Sequence, residues 1–416
     1  MPAEREAIVI GGGLIGCSSA FYLAQHGWRV RLLERDTIGA GASSGNCGYI
    51  CPSHVQPLAV PGAISQTLKT MARRDSPVAV TAPWRPSLIA WLMRFALACR
   101  AGKAQRAARG RHALLASSNR LYRELLTGGG LNAQLQDRGL LVAYRHEGPL
   151  DRFASTAEML RGEFGVEVNK LAGAELQDFE PALRDDLAGA WFFPGDADVE
   201  PYELLHALVD RLSELGVAIE EGVSVESLEV TGGKLRRLVT NRGDFTAETV
   251  VVAAGAETPR FAGPLRCRIP IQPGRGYSLV VDNPVPAPAR PIIFEESHVA
   301  VTPMAGGMKI GSTMEFAGYN RKPNPARVAL LRESTRQHLR GEIGEPRDPV
   351  WVGWRPMVYD GVPCIDFAPG ASNVIVAAGN GMIGLATAPA TGRLVAELAS
   401  GAEPHIDPAP YSLRRF

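Results

Sequence analysis

Gly11-Gly12-Gly13-Leu14-Ile15-Gly16 is the first stretch whose residue types and spacing point to chemistry. It has the form G-x-G-x-x-G. The first glycine permits a tight turn, the second lets the backbone approach a pyrophosphate, and the third lets a helix pack on the preceding strand. Glu34 follows at the end of the next apolar run, suited to ribose hydroxyls. A carboxylate at that place disfavours a 2′-phosphate. The motif is weak alone, so its flanking elements decide its meaning.

Ala7 to Ile10 reads as a short buried strand, Leu14 to Gln25 as a helix ending at Gly27, and Arg29 to Leu33 as a second strand. That is the opening βαβ unit of a doubly wound α/β domain. The phosphates then sit at the helix N-terminus, where free N–H groups and the dipole favour anions.

The alternation continues along the chain. Residues 84–126 read as a long helical pattern with basic faces, broken at Thr127-Gly128-Gly129-Gly130. Gly139 to Tyr144 and Ala190 to Phe193 read as strands, and Tyr202 to Leu215 as a helix. Val217 to Val230 is strand-like with a turn at Glu221-Gly222. Leu235 to Thr240 and Thr249 to Ala253 flank a turn at Asn241-Arg242-Gly243. Asn283 to Pro288 is a stiff loop, and Val299 to Pro303 with Met308 to Ser312 form a second hairpin. A helix over 325–340, a buried strand over 373–378 and a closing helix over 383–398 complete the pattern. The expected fold is α/β. A Rossmann-like nucleotide domain (1–75, 196–262 and 346–416) is interrupted by a substrate domain with a mainly antiparallel sheet and helices (76–195 and 263–345).

Ile38 to Asn46 is a small-residue loop directly behind Glu34, and its hydroxyls and amides can wrap a second face of a long cofactor. Here the sequence resembles the D-amino-acid oxidase-like flavoprotein superfamily, whose members place a G-x-S-x-x-N/A-A-G loop after the acidic residue. Glycine oxidases have the nearest collinear pattern through residues 7–50. The resemblance implies FAD, held by Gly11, Gly13, Leu14, Ile15, Gly16, Glu34 and Arg35. It adds Ala42, Ser43, Ser44, Asn46, Cys47, Gly48 and Tyr49, the last few running along the isoalloxazine. Val225 matches the position that packs on the adenine. Ala254-Gly255 ends a strand resembling the second cofactor motif. Gly379, Asn380, Gly381, Met382, Ile383 and Gly384 resemble the C-terminal loop over the flavin pyrimidine, where amides before a helix offset charge on reduction. The loop over Ser43 to Gly48 speaks against a plain NAD reductase.

Trp354 to Pro363 resembles the R-P-x-x-x-D-G-x-P segment of the same superfamily. In glycine oxidases the residue matching Arg355 binds the substrate carboxylate, a task suited to a guanidinium fork. Pro273 to Ser278, with Tyr277, and the GNGMIG loop look more like bacterial D-amino-acid dehydrogenases than like glycine oxidases, and the chain as a whole also resembles D-hydroxyproline dehydrogenase. Met382 stands where glycine oxidases carry a second Arg, which makes glycine a doubtful substrate. Met314 falls at a pocket position, and Lys309 resembles a lysine near flavin N5 in monomeric sarcosine oxidases. Ile50 and His54 follow the flavin loop and are candidates for the substrate pocket. The implied activity is oxidative deamination of a D-amino acid, with cyclic amines such as D-proline or hydroxy-D-proline included. Arg355 fixes the carboxylate, hydride passes from Cα to N5, and the imino acid hydrolyses. With the amine bound neutral, this scheme needs no protein base. A flavin subunit of a multi-subunit amine dehydrogenase and a glycine or sarcosine oxidase-like enzyme are the alternatives. A protein that merely holds FAD is disfavoured by the Arg355 segment.

The chain has 416 residues and a net charge of +1, which argues against a general nucleic-acid binder. The total hides a segregation. Residues 61–123 carry 12 basic groups and one acid, while residues 124–230 carry 7 basic groups and 22 acids. Within residues 88–111 an apolar run leads into Arg100, Lys103, Arg106, Arg109 and Arg111. One reading is a peripheral membrane or partner surface, since a dehydrogenase hands electrons to a quinone or another carrier. The other is a helix whose charges face solvent or the acidic segment. Of the basic residues 38 are Arg, so a single Arg carries little information by itself. The six cysteines contain no CxxC pair and no zinc spacing, so no metal is expected. Residues 2–6 are polar, and no run of about 18 uncharged apolar residues exists. The expectation is a cytoplasmic protein, peripheral on the inner membrane if the basic segment docks there.

Overall fold

A computed structural model describes residues 5–65, 78–81 and 85–416 of the chain. Its first sheet is built from the apolar runs Glu6–Ile10, Arg29–Leu33, Ala218–Glu220, Thr249–Val252 and Ala371–Ala378, all parallel. Cys364–Ala368 adds an antiparallel edge, giving six strands in this sheet among the described residues. Alternation explains why Glu6–Ile10 is almost wholly apolar: Ala7 and Val9 face one core cluster, Ile8 and Ile10 the other. The first face is covered by the helices Leu14–Gln25, Pro201–Glu214 and Gly384–Ser400. The second is covered by the small antiparallel sheet Val225–Thr231, Lys234–Thr240 and Gly243–Phe245.

The strand order places Ala371–Ala378, Thr249–Val252 and Glu6–Ile10 side by side and parallel. Their C-terminal ends therefore open at one edge, where open α/β sheets bind ligands. The segments beginning at Gly379, Ala253 and Gly11 follow those ends directly. Motifs far apart in sequence meet there for this topological reason.

The second large sheet runs Trp351–Val358, Ile271–Val281, Gly307–Phe316, Val299–Met304, Ile292–Phe294, Leu140–Tyr144, Gly189–Phe193 and Asn169–Leu171, with Val78–Val80 beside Gly307–Phe316. Its pairings are antiparallel except where Ile292–Phe294 meets Leu140–Tyr144 and where Val78–Val80 meets Gly307–Phe316.

Several local expectations change. The pattern over 84–126 is two helices, Pro86–Ala98 and Ala101–Thr127, because Arg100 is extended and restarts the helix; residues 82–84 lie outside the described residues. The strand-like run 217–230 divides at its turn: Ala218–Glu220 joins the parallel sheet and Val225–Thr231 the small one. Glu147–Phe164 is an additional helix, and Ile271–Val281 and Trp351–Val358 are additional long strands. Trp351–Val358 pairs with Ile271–Val281, so the second sheet carries Arg355, although the sequence division at 346 puts it with the nucleotide domain.

Candidate functional site

One cavity of about 1940 Å³ reaches from the glycine edge of the parallel sheet to the strand that carries Arg355. Gly11, Gly13, Leu14 and Ile15 line it at the start of the helix Leu14–Gln25. Gly11 has φ +108°, and a Cβ there would fall 2.5 Å from the Ala253 carbonyl oxygen. The close approach of two strand ends therefore requires glycine. The helix starts at Gly13 without a side-chain cap, which leaves its N–H groups to the cavity and to Ser43, whose hydroxyl accepts from Leu14 N–H at 3.0 Å. Glu34 lines the cavity at the end of its strand and accepts from the N–H of Gly12 at 2.7 Å and of Asp36 at 2.9 Å. Gly16 lies under the turn rather than on the wall.

Arg35 lies on the wall, paired with Glu257 at 2.5 Å and with Asp36 at 3.1 Å. Val225, Ala254 and Gly255 line the same end. Ala42, Ser43, Asn46, Cys47 and Tyr49 line the middle. Ser44 and Gly48 do not, and act through their backbones. Gly48 N–H donates to Asn46 Oδ1 at 2.8 Å. Tyr49 donates its hydroxyl proton to Val301 O at 3.0 Å, which fastens the loop to the second sheet.

Gly379 to Gly384 all face the cavity. Asn380 donates from Nδ2 to Thr387 Oγ1 at 3.0 Å and Thr391 Oγ1 at 3.2 Å, tying this loop to the helix that follows. Among the described residues its buried Oδ1 has no partner, and neither does the buried Trp354 Nε1. Gly381 N–H donates to Pro356 O at 3.1 Å, so the loop is fixed to the Arg355 strand.

Arg355 lies on the cavity wall, and among the described residues no carboxylate pairs with it. Its Nη1 donates to the Thr313 carbonyl at 2.5 Å. That carbonyl is aimed by two non-glycine residues in the left-handed region, Ser312 at φ +96° and Thr313 at φ +51°. Burial pulls the guanidinium's pKa down, and neighbouring Cys47 counters it. Met314, Met357, Met382 and His54 also line the cavity.

Three expected substrate or catalytic residues are not on the wall. Tyr277 points to the opposite face of its strand and donates to Glu315 Oε2 at 2.6 Å, beside Arg275 at 2.7 Å. Lys309 is buried and donates from Nζ to the carbonyls of Ser44 and Asn46, both at 3.0 Å. It holds the loop from behind. Ile50 is sealed in the core, paired with Ala197. Arg111, expected on the basic surface, is buried and donates to the carbonyls of His54, Val55 and Gly361. Thr313 shapes the site but carries no sequence motif of its own, and Gly276 lies in the Pro273–Ser278 segment, where the reading singled out Tyr277 instead. Strand alternation within Gly274-Arg275-Gly276-Tyr277 could have marked Gly276 as facing Arg355.

These residues fit a long dinucleotide. The helix start at Gly13, the glycine cradle, Glu34 and Asn380 Oδ1, which has no partner among the described residues, all open on one continuous space. Among the described residues no His, Cys, Asp and Glu cluster could hold a metal, and no helix is long and apolar enough to cross a membrane.

Residues 6–398 match the family model described as FAD dependent oxidoreductase (DAO). A D-amino acid dehydrogenase of Paramagnetospirillum magneticum is 31% identical over 418 residues, covering 99% of both chains. A D-amino-acid oxidase of Bradyrhizobium diazoefficiens is 29% identical over 423 residues, covering both chains in full at 100%. Glycine oxidase from Geobacillus kaustophilus is similar in structure, with a TM-score of 0.78 and 26% identity over 99% of each chain. The chain therefore belongs to the DAO family of FAD-dependent oxidoreductases.

Proposed function

We propose that this enzyme oxidises the Cα–N bond of a D-amino acid to an imino acid, which water then hydrolyses. The observation that carries this is Arg355: a cavity-facing guanidinium with no carboxylate partner among the described residues, on the same cavity as the dinucleotide cradle. An Arg in that state is completed by a carboxylate ligand, and its fork favours a bidentate one. Full-length similarity to a D-amino acid dehydrogenase supports the D configuration. Bound FAD supplies a two-electron hydride acceptor.

The chain's own residues do the rest. Arg355 holds the carboxylate and so fixes the orientation of Cα. Gly11, Gly13, Glu34 and the Gly379–Gly384 loop hold the cofactor. Met314, Met357 and Met382 offer apolar surface to a hydrocarbon side chain, a pyrrolidine ring included, and exclude water. Tyr277 and Lys309 support this machinery from behind it.

The electron acceptor we propose is a quinone or similar carrier reached at a membrane surface. Ile89, Met93 and Leu97 recur every four residues along the helix Pro86–Ala98 and are 41%, 60% and 50% exposed. Arg94, Arg100, Lys103, Arg106 and Arg109 are exposed nearby and form no ion pair among the described residues. Leu92, Phe95 and Ala96 of the same helix line the cavity. An apolar stripe rimmed by cations suits an anionic lipid surface.

Anaerobic bleaching of the bound flavin by a panel of D- and L-amino acids and N-methyl amines tests the reading. D-amino acids are expected to bleach it, with turnover faster on a quinone than in air. No bleaching by any of these amines overturns the reading.

A further inference from the structure

Oxidation of the Cα–N bond requires the substrate ammonium to lose a proton, and the arrangement around Arg355 names no acceptor for it. We propose that His54 is that acceptor, a catalytic base in direct contact with the substrate nitrogen, and that Ser53 and Asp196 are positioning residues that orient and polarise its imidazole. This rests on the amine-oxidation reading above.

The geometry is a three-residue line ending on the cavity. Asp196 is buried, and its carboxylate receives Ser53 twice: the backbone N–H at 3.1 Å on Oδ1 and the hydroxyl at 2.5 Å on Oδ2. With its proton committed to Asp196, the Ser53 oxygen has lone pairs to offer. His54 Nδ1 lies 3.2 Å from it and is therefore the protonated nitrogen of the ring. Nε2 then carries the lone pair. Among the described residues Nε2 has no partner, and His54 stands on the wall of the cavity that also holds Arg355.

The surroundings suit a base that is neutral at rest. Arg111 lies behind His54 and donates to its carbonyl at 2.7 Å, to Val55 O at 3.0 Å and to Gly361 O at 2.9 Å. Gly361 lies in the turn just beyond the Arg355 strand, so Arg111 ties the base to the element carrying the carboxylate anchor. Burial, with the Arg111 charge added, pulls His54 down to about 4. Burial pushes Asp196 up to about 7, against the lowering effect of the two Ser53 bonds. The other titratable groups facing this line are Cys51, whose thiol burial and Asp196 push well up, and Asp360, which faces Arg111. Ionised Asp196 stabilises positive charge on His54 through Ser53, so the base strengthens as Asp196 loses its proton.

The step balances. The substrate N–H bond breaks and its proton goes to His54 Nε2. The electron pair stays on nitrogen and becomes the second bond of C=N as hydride leaves Cα with its own pair. The Nδ1 proton can then shift onto Ser53 as the Ser53 proton shifts onto Asp196.

The test uses the FAD-loaded enzyme with the amino acid that bleaches it fastest, followed anaerobically against pH. In the wild type the second-order rate of bleaching is expected to rise through a group near pH 7. Asp196→Asn is expected to remove that rise and leave the lower, acid-side rate. His54→Gln is expected to lose roughly 10²–10⁴-fold at neutral pH. It should lose much less above the amine's own pKa, where the substrate arrives deprotonated, and imidazole should restore part of the rate to His54→Gly. A second readout needs no substrate: ¹⁵N NMR of histidine-labelled protein should report the Nδ1–H tautomer for His54, shifted toward a mixture in Ser53→Ala. A wild type bleached by no amine removes the oxidation reading and this proposal together. A bleached wild type with His54→Gln equally fast, or equally impaired at every pH, overturns the base alone. If His54→Gln does not retain FAD, an Nε2–H tautomer in the wild-type spectrum overturns it by itself.

Discussion

The guanidinium of Arg355 occupies the space beside Gly276: a Cβ built on Gly276 would lie 2.5 Å from both Cζ and Nη1 of Arg355. The two residues sit on adjacent antiparallel strands, Gly276 two positions along from Gly274, the register partner of Arg355. The absent side chain is what lets the arginine lie flat and reach the Thr313 carbonyl.

Gly276→Ala is therefore expected to displace the far end of Arg355 and leave the backbone in place. The side chain is flexible, so melting temperature should move by under about 2 °C, within the range of a surface change. The Michaelis constant for the amino acid should rise by roughly 10- to 100-fold, about 1.4–2.7 kcal/mol. Steady-state kinetics and a thermal melt on the same preparation check this. A large loss of stability with an unchanged Michaelis constant would place the arginine elsewhere.

Arg355→Ala removes the proposed partner of the substrate carboxylate. Truncating one member of a buried charged pair costs about 2–5 kcal/mol, or roughly 30- to 5000-fold in kcat/KM. Arg355→Lys keeps the charge but loses the planar fork, so it should recover only part of that loss. Flavin absorbance should be the same in all three proteins. Unchanged kcat/KM in the alanine variant would remove Arg355 from the site.

Lys309 separates the family resemblance from the geometry. A lysine acting at the reacting atoms would alter turnover; a lysine bonded to the carbonyls of Ser44 and Asn46 holds the cofactor loop. Lys309→Met leaves two buried carbonyls without their charged donor, at about 1–3 kcal/mol each. We expect weaker FAD retention on dialysis, at least tenfold, and a near-normal Michaelis constant in saturating FAD. Normal FAD affinity with turnover abolished would restore the catalytic role.

The nucleotide half was legible because its signals are local. Glu6–Ile10, Gly11–Gly16 and Glu34 lie within one βαβ unit, where periodicity and glycine spacing carry the geometry directly. The substrate half was read by resemblance and is less complete. Tyr277 was chosen from the segment Pro273–Ser278, but the pleat turns it toward Glu315 and gives the cavity side to Gly276. The long strand Ile271–Val281 contains Pro, two Gly and Arg, which lower the strand signal. Arg111 looked like one more surface charge in a basic run, since helical phase decides burial and the three carbonyls it serves are 56 to 250 residues away. Asp196 and Ser53 meet across 143 residues, and no spacing rule joins them.

The stripe of Ile89, Met93 and Leu97 makes the membrane proposal measurable. Wild-type enzyme should co-sediment with anionic vesicles and release as salt rises, because exposed cation contacts are screened. Met93→Glu with Leu97→Glu should abolish co-sedimentation while activity on a soluble dye acceptor stays normal. Wild-type protein that ignores anionic vesicles at low salt refutes the proposal.

The buried pair Arg275–Glu315 should set the acid limit of stability. The side chains are 4% and 1% exposed, and Glu315 also accepts from Tyr277 and from Thr81 at 2.9 Å. Burial alone would raise the Glu315 carboxyl, but the bonds from Tyr277, Arg275 and Thr81 outweigh it and hold the group below its usual range. A carboxyl depressed in the folded state contributes stability above its unfolded pKa, near 4.3. That contribution is lost as pH falls through the folded value. Glu315→Gln leaves Arg275 charged, buried and unpaired, at a cost of about 3–5 kcal/mol at pH 7. Thermal melts between pH 3 and 8 should show the variant well below the wild type at neutral pH, with the gap closing below about pH 4 as wild-type Glu315 also takes a proton. A gap that is constant across this range would mean that Glu315 contributes through packing rather than charge.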